Sequence, residues 1–189
     1  MKIRTVYFET ASSEHTEEVL DLVKEHLDLN PEIEHLIVAT TEGATGLTAA
    51  EMFQNKKVVV VSHQTGFVAE NMNELNEEKK SKIESLGAKV LTSTHAFAGV
   101  ARSIRKELGT WLPTEIIAVA LRTFGQGTKV CAEIVMMAAD AGLIPVDKDV
   151  VCVAGTGRGA DTASVIKPTY SQFFPRIRMK ACLCKPLEF

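Results

Sequence analysis

Apolar positions along this chain fall into two alternating patterns. Short apolar runs rich in β-branched residues cover Lys2–Phe8, His35–Thr40, Lys57–Ser62, Lys89–Leu91 and Val150–Val153. Each is too short for a buried helix and is bounded by Gly, Thr, Ser or Pro, so each reads as a strand. The four consecutive valines Val58–Val61 have apolar character on both sides of the pleat, as a strand covered on both faces requires. Between the runs the spacing switches to the helical period. Val19, Leu22, Val23, His26 and Leu27 mark an amphipathic helix ending near Asn30-Pro31, and the helix after Thr48 runs to about Gln54. Glu77–Leu86 is a charged helix stopped by Gly87. Ala98–Leu108 places Val100, Ala101, Ile104 and Leu108 inward, with Arg102 and Arg105 elsewhere on its surface. Pro113 opens a helix to about Thr123, and Val130–Ala141, apolar nearly all round, predicts a buried helix. Thr162–Ile166 and Ile177–Cys184 read as two final strands, joined closely enough to be antiparallel.

This β-α-β-α-β order predicts an α/β fold: three layers, α/β/α, around a mixed, mostly parallel sheet, in one domain over residues 1–189. Ligands of such sheets bind outside the C-terminal strand ends. Three strands in succession end in polar turns: Thr40–Gly46, Ser62–Phe67 and Thr92–His95. The first of these, within VATTEGATGLT (Val38–Thr48), runs straight into a helix. Its backbone N–H groups and hydroxyls, with Thr41, Gly43 and Thr45 foremost, suit an anion at the positive end of the helix dipole.

A second anion turn is Gly125-Gln-Gly127-Thr128-Lys129, which precedes a helix and carries a cation; the alternative is a plain helix–helix joint using glycine for its backbone freedom. GTGRGAD at Gly155–Asp161 matches neither a P-loop nor a dinucleotide fingerprint, because no Gly-Lys-Ser/Thr follows and the next element is a strand. It is either a turn whose Arg158 reaches a phosphate or a hairpin-like loop with Arg158 solvated. Glu133 on the buried helix needs a partner; Lys129, four residues earlier, supplies one, and a contact to a ligand hydroxyl or ring nitrogen is the other reading. His63 and His95 follow strand ends, where a general base can sit. Neither has a matched nucleophile, so no catalytic residue is assigned and a hydrolase lacks its key group. The histidines and carboxylates lack metal-ligand spacing.

The 189 residues are 46% hydrophobic and 24% charged, an ordinary globular profile. A net charge of −3 gives no reason to expect nucleic acid. Arg158, Lys167, Arg176, Arg178, Lys180 and Lys185 make the C-terminal part locally basic, enough to help hold a phosphorylated small molecule. No apolar stretch suits a membrane span or a secretory leader, so the expected location is the cytoplasm. Cys131, Cys152, Cys182 and Cys184 sit in apolar runs and read as reduced, buried thiols. The apolar terminal strands offer an edge for a homo-oligomer.

Leu36–Gly46 (LIVATTEGATG), the strand Lys57–Ser62 and the run Ala141–Gly155 (AGLIPVDKDVVCVAG) resemble the C-terminal α/β domain of pyruvate kinase. With Val6–Glu9 (VYFE), Val60–Phe67 (VVSHQTGF), Lys129–Gly142 (KVCAEIVMMAADAG) and Arg158–Thr162 (RGADT), the whole chain resembles the stand-alone pyruvate kinase C-terminal domain-like family. That resemblance implies a mixed sheet with one antiparallel strand. It implies no phosphotransfer from phosphoenolpyruvate, since the barrel that performs it is lacking. In pyruvate kinase the Thr/Ser-Gly turn and a late Gly-rich loop hold a sugar-bisphosphate activator. The first turn is kept here, whereas GTGRGAD replaces the Gly-Trp-Arg-Pro-Gly loop. The stand-alone family is associated with bound flavin mononucleotide (FMN). On that basis the phosphate is expected on Thr41–Thr45 or Gly125–Lys129. The flavin ring is expected near His63, Gln64, Gly66 and Phe67 and near Thr94, His95 and Phe97, with Phe67 or Phe97 covering it and Glu133 shaping the pocket. The alternative is a regulatory module that senses a phosphorylated metabolite without catalysis.

Overall fold

The structure, a computed structural model, describes residues 4–189. Seven strands form one sheet in the order β1-β7-β6-β5-β2-β3-β4: β1 Val6–Thr10, β2 His35–Ala39, β3 Lys57–Ser62, β4 Lys89–Thr92, β5 Val150–Ala154, β6 Thr162–Lys167 and β7 Arg178–Glu188. All pairings are parallel except the two made by β6. β6 is therefore the single reversed strand of a mostly parallel sheet, as expected. The expected first strand began at Lys2, which lies outside the described residues; the observed strand starts at Val6 and continues to Thr10 because its backbone pairs with β7 as far as Glu188.

Helices cover both faces. α1 (Thr16–Leu29), α2 (Ala44–Met52) and α3 (Glu77–Ser85) lie on one side, where Val19, Val23, Leu27, Ala49 and Ile83 pack on Leu36, Val38, Val58 and Val60. On the other side, α6 (Gln126–Asp140) sets Cys131, Ile134, Val135 and Ala138 against Ile37, Val59, Val61 and Cys152. The consecutive valines of β3 are thus shared between two cores by simple alternation. α4 (Gly99–Leu108) and α5 (Pro113–Arg122) form a further layer over α6, around Phe97, Ala118, Ala132 and Met136. Among the described residues no helix is long and apolar enough to cross a membrane.

Two expectations need correcting. Val100 and Leu108 of α4 are not inward but 73% and 71% exposed. The main contact of α4 is α5, not the sheet, so only part of its apolar stripe is covered. α6 begins one turn earlier than the apolar run suggested, at Gln126. Gly127, Thr128 and Lys129 are therefore its first turn rather than a separate loop. Gly127 has a packing reason: a Cβ there would lie 2.3 Å from the Thr162 hydroxyl oxygen.

Candidate functional site

The loops that leave β1 to β5 meet at one sheet edge and enclose a cleft of about 800 Å³, within the range of small-molecule sites. β2 delivers Thr40, Thr41 and Thr45. Thr40 Oγ1 accepts hydrogen bonds from the Gly43 and Gly46 N–H groups at 3.1 and 3.4 Å. Thr40 is thus occupied in holding the turn, while Thr41 and Thr45 line the cleft. Ala44 and Thr45 are the first residues of α2, and their N–H groups have no carbonyl one turn behind them.

The loop Gly155–Gly159 faces this turn across the cleft. It is the β5–β6 hairpin connection anticipated for GTGRGAD. Asp161, buried, fixes it: one carboxylate oxygen accepts from the Thr156 N–H at 2.9 Å and the other from the Thr162 hydroxyl at 2.6 Å. Gly159 packs on the turn that precedes α1, where a Cβ would meet Ser13 at 2.6 Å, and the Ala160 N–H donates to Thr16 Oγ1 at 3.0 Å. Arg158 is then presented to Glu42 at 3.0 Å and to Glu74 at 3.7 Å.

β3 and β4 supply an aromatic group. The rings of His63 and Phe67 are 4.2 Å apart, those of Phe67 and His95 5.1 Å, and those of His63 and His95 5.4 Å. The Arg102 guanidinium sits 5.5 Å from the Phe67 ring centre. His63 Nδ1 is 2.6 Å from Glu74 Oε2, so Glu74 touches both the ring group and Arg158. Burial pushes the His95 pKa down to about 4, with Glu133 opposing and His63, Lys129 and Arg102 adding to the fall. His95 is thus neutral near pH 7 and can accept a proton or hydrogen bond but brings no charge.

The unfolded chain returns His95 to the ordinary value of 6.5. Unfolding therefore takes up a proton between about pH 6.5 and pH 4, and stability falls as pH drops through that window. Urea midpoints are expected to drop between pH 7 and pH 5, and the drop is expected to shrink in His95→Gln. An identical drop in that variant would assign the acid sensitivity elsewhere.

The cleft floor is charged. Lys129 and Glu133, 5% and 4% exposed, form a buried ion pair. The second Glu133 oxygen accepts from the Phe97 N–H at 2.8 Å. Burial lowers the Lys129 pKa while Glu133 raises it, and Arg122 and Arg102 lower it further.

Of the residues expected from sequence, Thr41, Thr45, His63, Phe67, His95, Lys129, Glu133 and Arg158 line this cleft together. Gly43, Gln64, Gly66, Thr94, Gly125, Gly127 and Thr128 do not. Gly43 serves as the N-cap of α2, and Gly125 as that of α6. Gly127 is pressed on Thr162, and the Thr128 hydroxyl donates to the Phe124 carbonyl. Phe97 is buried, packs edge-on against Phe174 at 5.6 Å and does not line this cleft. Glu74, Arg102 and Arg122, which were not among the residues expected from sequence, also line the cleft. Arg122 had a signal in its place directly before the glycine break at 125; Glu74, in a polar loop, had none.

The family model for the pyruvate kinase alpha/beta domain matches residues 17–167 of the 189. Among solved structures, O-ureido-L-serine synthase is 15% identical at a TM-score of 0.32, covering 51% of this chain and 30% of that one. A hydrogen sulfide-producing enzyme from Fusobacterium nucleatum is 19% identical at a TM-score of 0.30, covering 55% and 30%. This chain therefore spans about 30% of the length of either enzyme.

Proposed function

This chain belongs to the pyruvate kinase alpha/beta domain family, and from that premise we propose that its strand-end cleft binds FMN. The observation that supports this best is the pairing, in one cleft, of a ring-bearing wall with a helix-start turn and an arginine. Phe67, His63 and His95 offer flat faces to the isoalloxazine ring. The Thr41–Thr45 turn offers hydroxyls and free N–H groups to the phosphate. Arg158 can join it, since its exposed pairing with Glu42 is of the kind worth only about 0–1 kcal/mol. The Glu133 carboxylate, engaged on both oxygens, shapes the floor. Bound FMN supplies electron- and hydride-transfer chemistry; the chain's contribution is to hold and orient it.

The experiment is an absorbance spectrum of the purified protein, with mass spectrometry of the native species. Flavin absorbance that is released on denaturation is the expected result. Colourless protein that FMN fails to stabilise overturns the reading. If sugar phosphates stabilise it instead, the regulatory module stands in its place, since the same turn and Arg158 serve a phosphorylated metabolite without the rings.

The phosphate placement has its own test. Thr41→Val with Thr45→Val removes two hydroxyls at nearly constant shape. FMN affinity is expected to fall about tenfold or more, at about 1 kcal/mol or so per hydrogen bond. The melting temperature should change little. Unchanged affinity would place the phosphate away from this turn, nearer Lys129.

A further inference from the structure

A second cavity, of about 220 Å³, adjoins the cleft between α4, α5 and the start of α6. Arg102, Arg105, Lys106, Arg122 and Lys129 line it, against one acid, Glu115. The protein matches only part of this charge. Arg105 Nε donates to both oxygens of buried Glu115, at 2.9 and 3.0 Å, and Lys129 is paired with Glu133. Arg102, Lys106 and Arg122 form no ion pair among the described residues. Arg102 and Arg122 are half-buried, and both stand near enough to Lys129 to oppose its charge.

These unmatched cations repel one another across the hollow, and the half-buried Arg102 and Arg122, unlike the exposed Lys106, are also poorly hydrated. An anion relieves both costs. Two arginine forks and a lysine suit the several oxygens and double charge of a phosphoryl group better than a single carboxylate. Trp111, with the Arg105 guanidinium 4.8 Å from its ring centre, forms one wall.

We propose that this cavity is a second anion subsite that receives a phosphoryl group, joined to the larger cleft through Arg102, Arg122 and Lys129, which line both. It does not depend on the larger cleft taking a flavin. The phosphoryl group comes either from the far end of the ligand in the larger cleft or from a separate phosphorylated molecule.

The test is calorimetric titration of the full chain with pyrophosphate in phosphate-free buffer. The wild type is expected to bind. Arg122→Gln and Lys106→Gln are each expected to weaken binding about tenfold, the effect of one charge-assisted hydrogen bond. Lys24→Gln, a charge-matched change on α1, is the control and should match the wild type. Circular dichroism melts check that each variant is folded. Lys106 lines only the smaller cavity, so its effect cannot come from the larger one. No binding by the wild type, unchanged affinity in both variants, or a loss confined to Arg122→Gln overturns the proposal. Two further arms identify the source. Flavin adenine dinucleotide binding more tightly than FMN, with the difference abolished in Arg122→Gln, assigns the phosphoryl group to the ligand of the larger cleft. Pyrophosphate binding that persists, with the same dependence on Arg122 and Lys106, in FMN-saturated protein assigns it to a separate molecule. If the chain takes no flavin, the pyrophosphate titrations alone still decide this proposal.

Discussion

Glu133→Ala is expected to destabilise the protein by about 3–5 kcal/mol, the range for breaking a buried ion pair from one side. Both groups of the pair are nearly inaccessible. Removing the carboxylate leaves the Lys129 ammonium buried beside Arg102 and Arg122, two more cations. It also strips the Phe97 N–H of its acceptor, a loss that by itself costs about 1–3 kcal/mol. Urea unfolding at pH 7 should show a lowered midpoint with an unchanged slope. Glu133→Gln, which can keep the Phe97 acceptor, should lose less. Lys129→Met with Glu133→Leu removes both charges and should lie closer to the wild type than either single loss. A loss below about 1 kcal/mol in Glu133→Ala would mean that water reaches the pair and screens it. Lys129 lines both cavities and Glu133 the larger one, so the same variant also disturbs the floor of the cleft.

Gly127→Ala is expected to lower stability by about 1–3 kcal/mol or more, the range for overpacking a filled site. On helix propensity alone the change should stabilise, by about 1 kcal/mol. Packing decides the sign. The new methyl would lie 2.3 and 2.4 Å from Oγ1 and Cβ of Thr162, and 3.2 Å from an Asp161 oxygen. Thr162 is fully buried in β6 and its hydroxyl donates to Asp161, so it has nowhere to turn. The displaced pair would disturb the Gly155–Gly159 loop that presents Arg158. A thermal melt measures the outcome. A raised melting temperature would show that α6 can shift from β6 at little cost, and that Gly127 is not a packing residue.

The strands of the central sheet were legible because alternation is a property of the chain itself. Four valines in β3 demanded two covered faces, and both are present. The polar turns that followed the strands were legible for the same reason, since parallel strands must place them at one edge. Glu133 stood out as an acid on an apolar helix, and its spacing from Lys129 named its partner correctly. Periodicity says which side of a helix is apolar but not how much of it a neighbour covers. The apolar spacing of α4 therefore predicts Val100 and Leu108 inward, yet they face solvent. The glycines at 125 and 127 illustrate a related limit. The sequence marks both as special without distinguishing a ligand from the N-cap role of Gly125 or, for Gly127, from the side chain of Thr162, which is remote in sequence. Glu74 joins the cleft through the path of its loop, which no local pattern encodes.

Among the described residues β1 has one partner in the sheet, β7. Val6 pairs with Cys184 and Thr10 with Glu188, so these contacts close a very long loop. During synthesis, which delivers segments in order, β2, β3 and β4 can associate early with α1, α2 and α3. β1 must wait, unpaired, until β7 has emerged and joined β6. Pairings of such sequence separation slow folding, because loop closure comes before any contact can offset it. The β1–β7 pairing is thus the last part to lock. Until it does, β7 stands as a bare edge open to other copies of the chain.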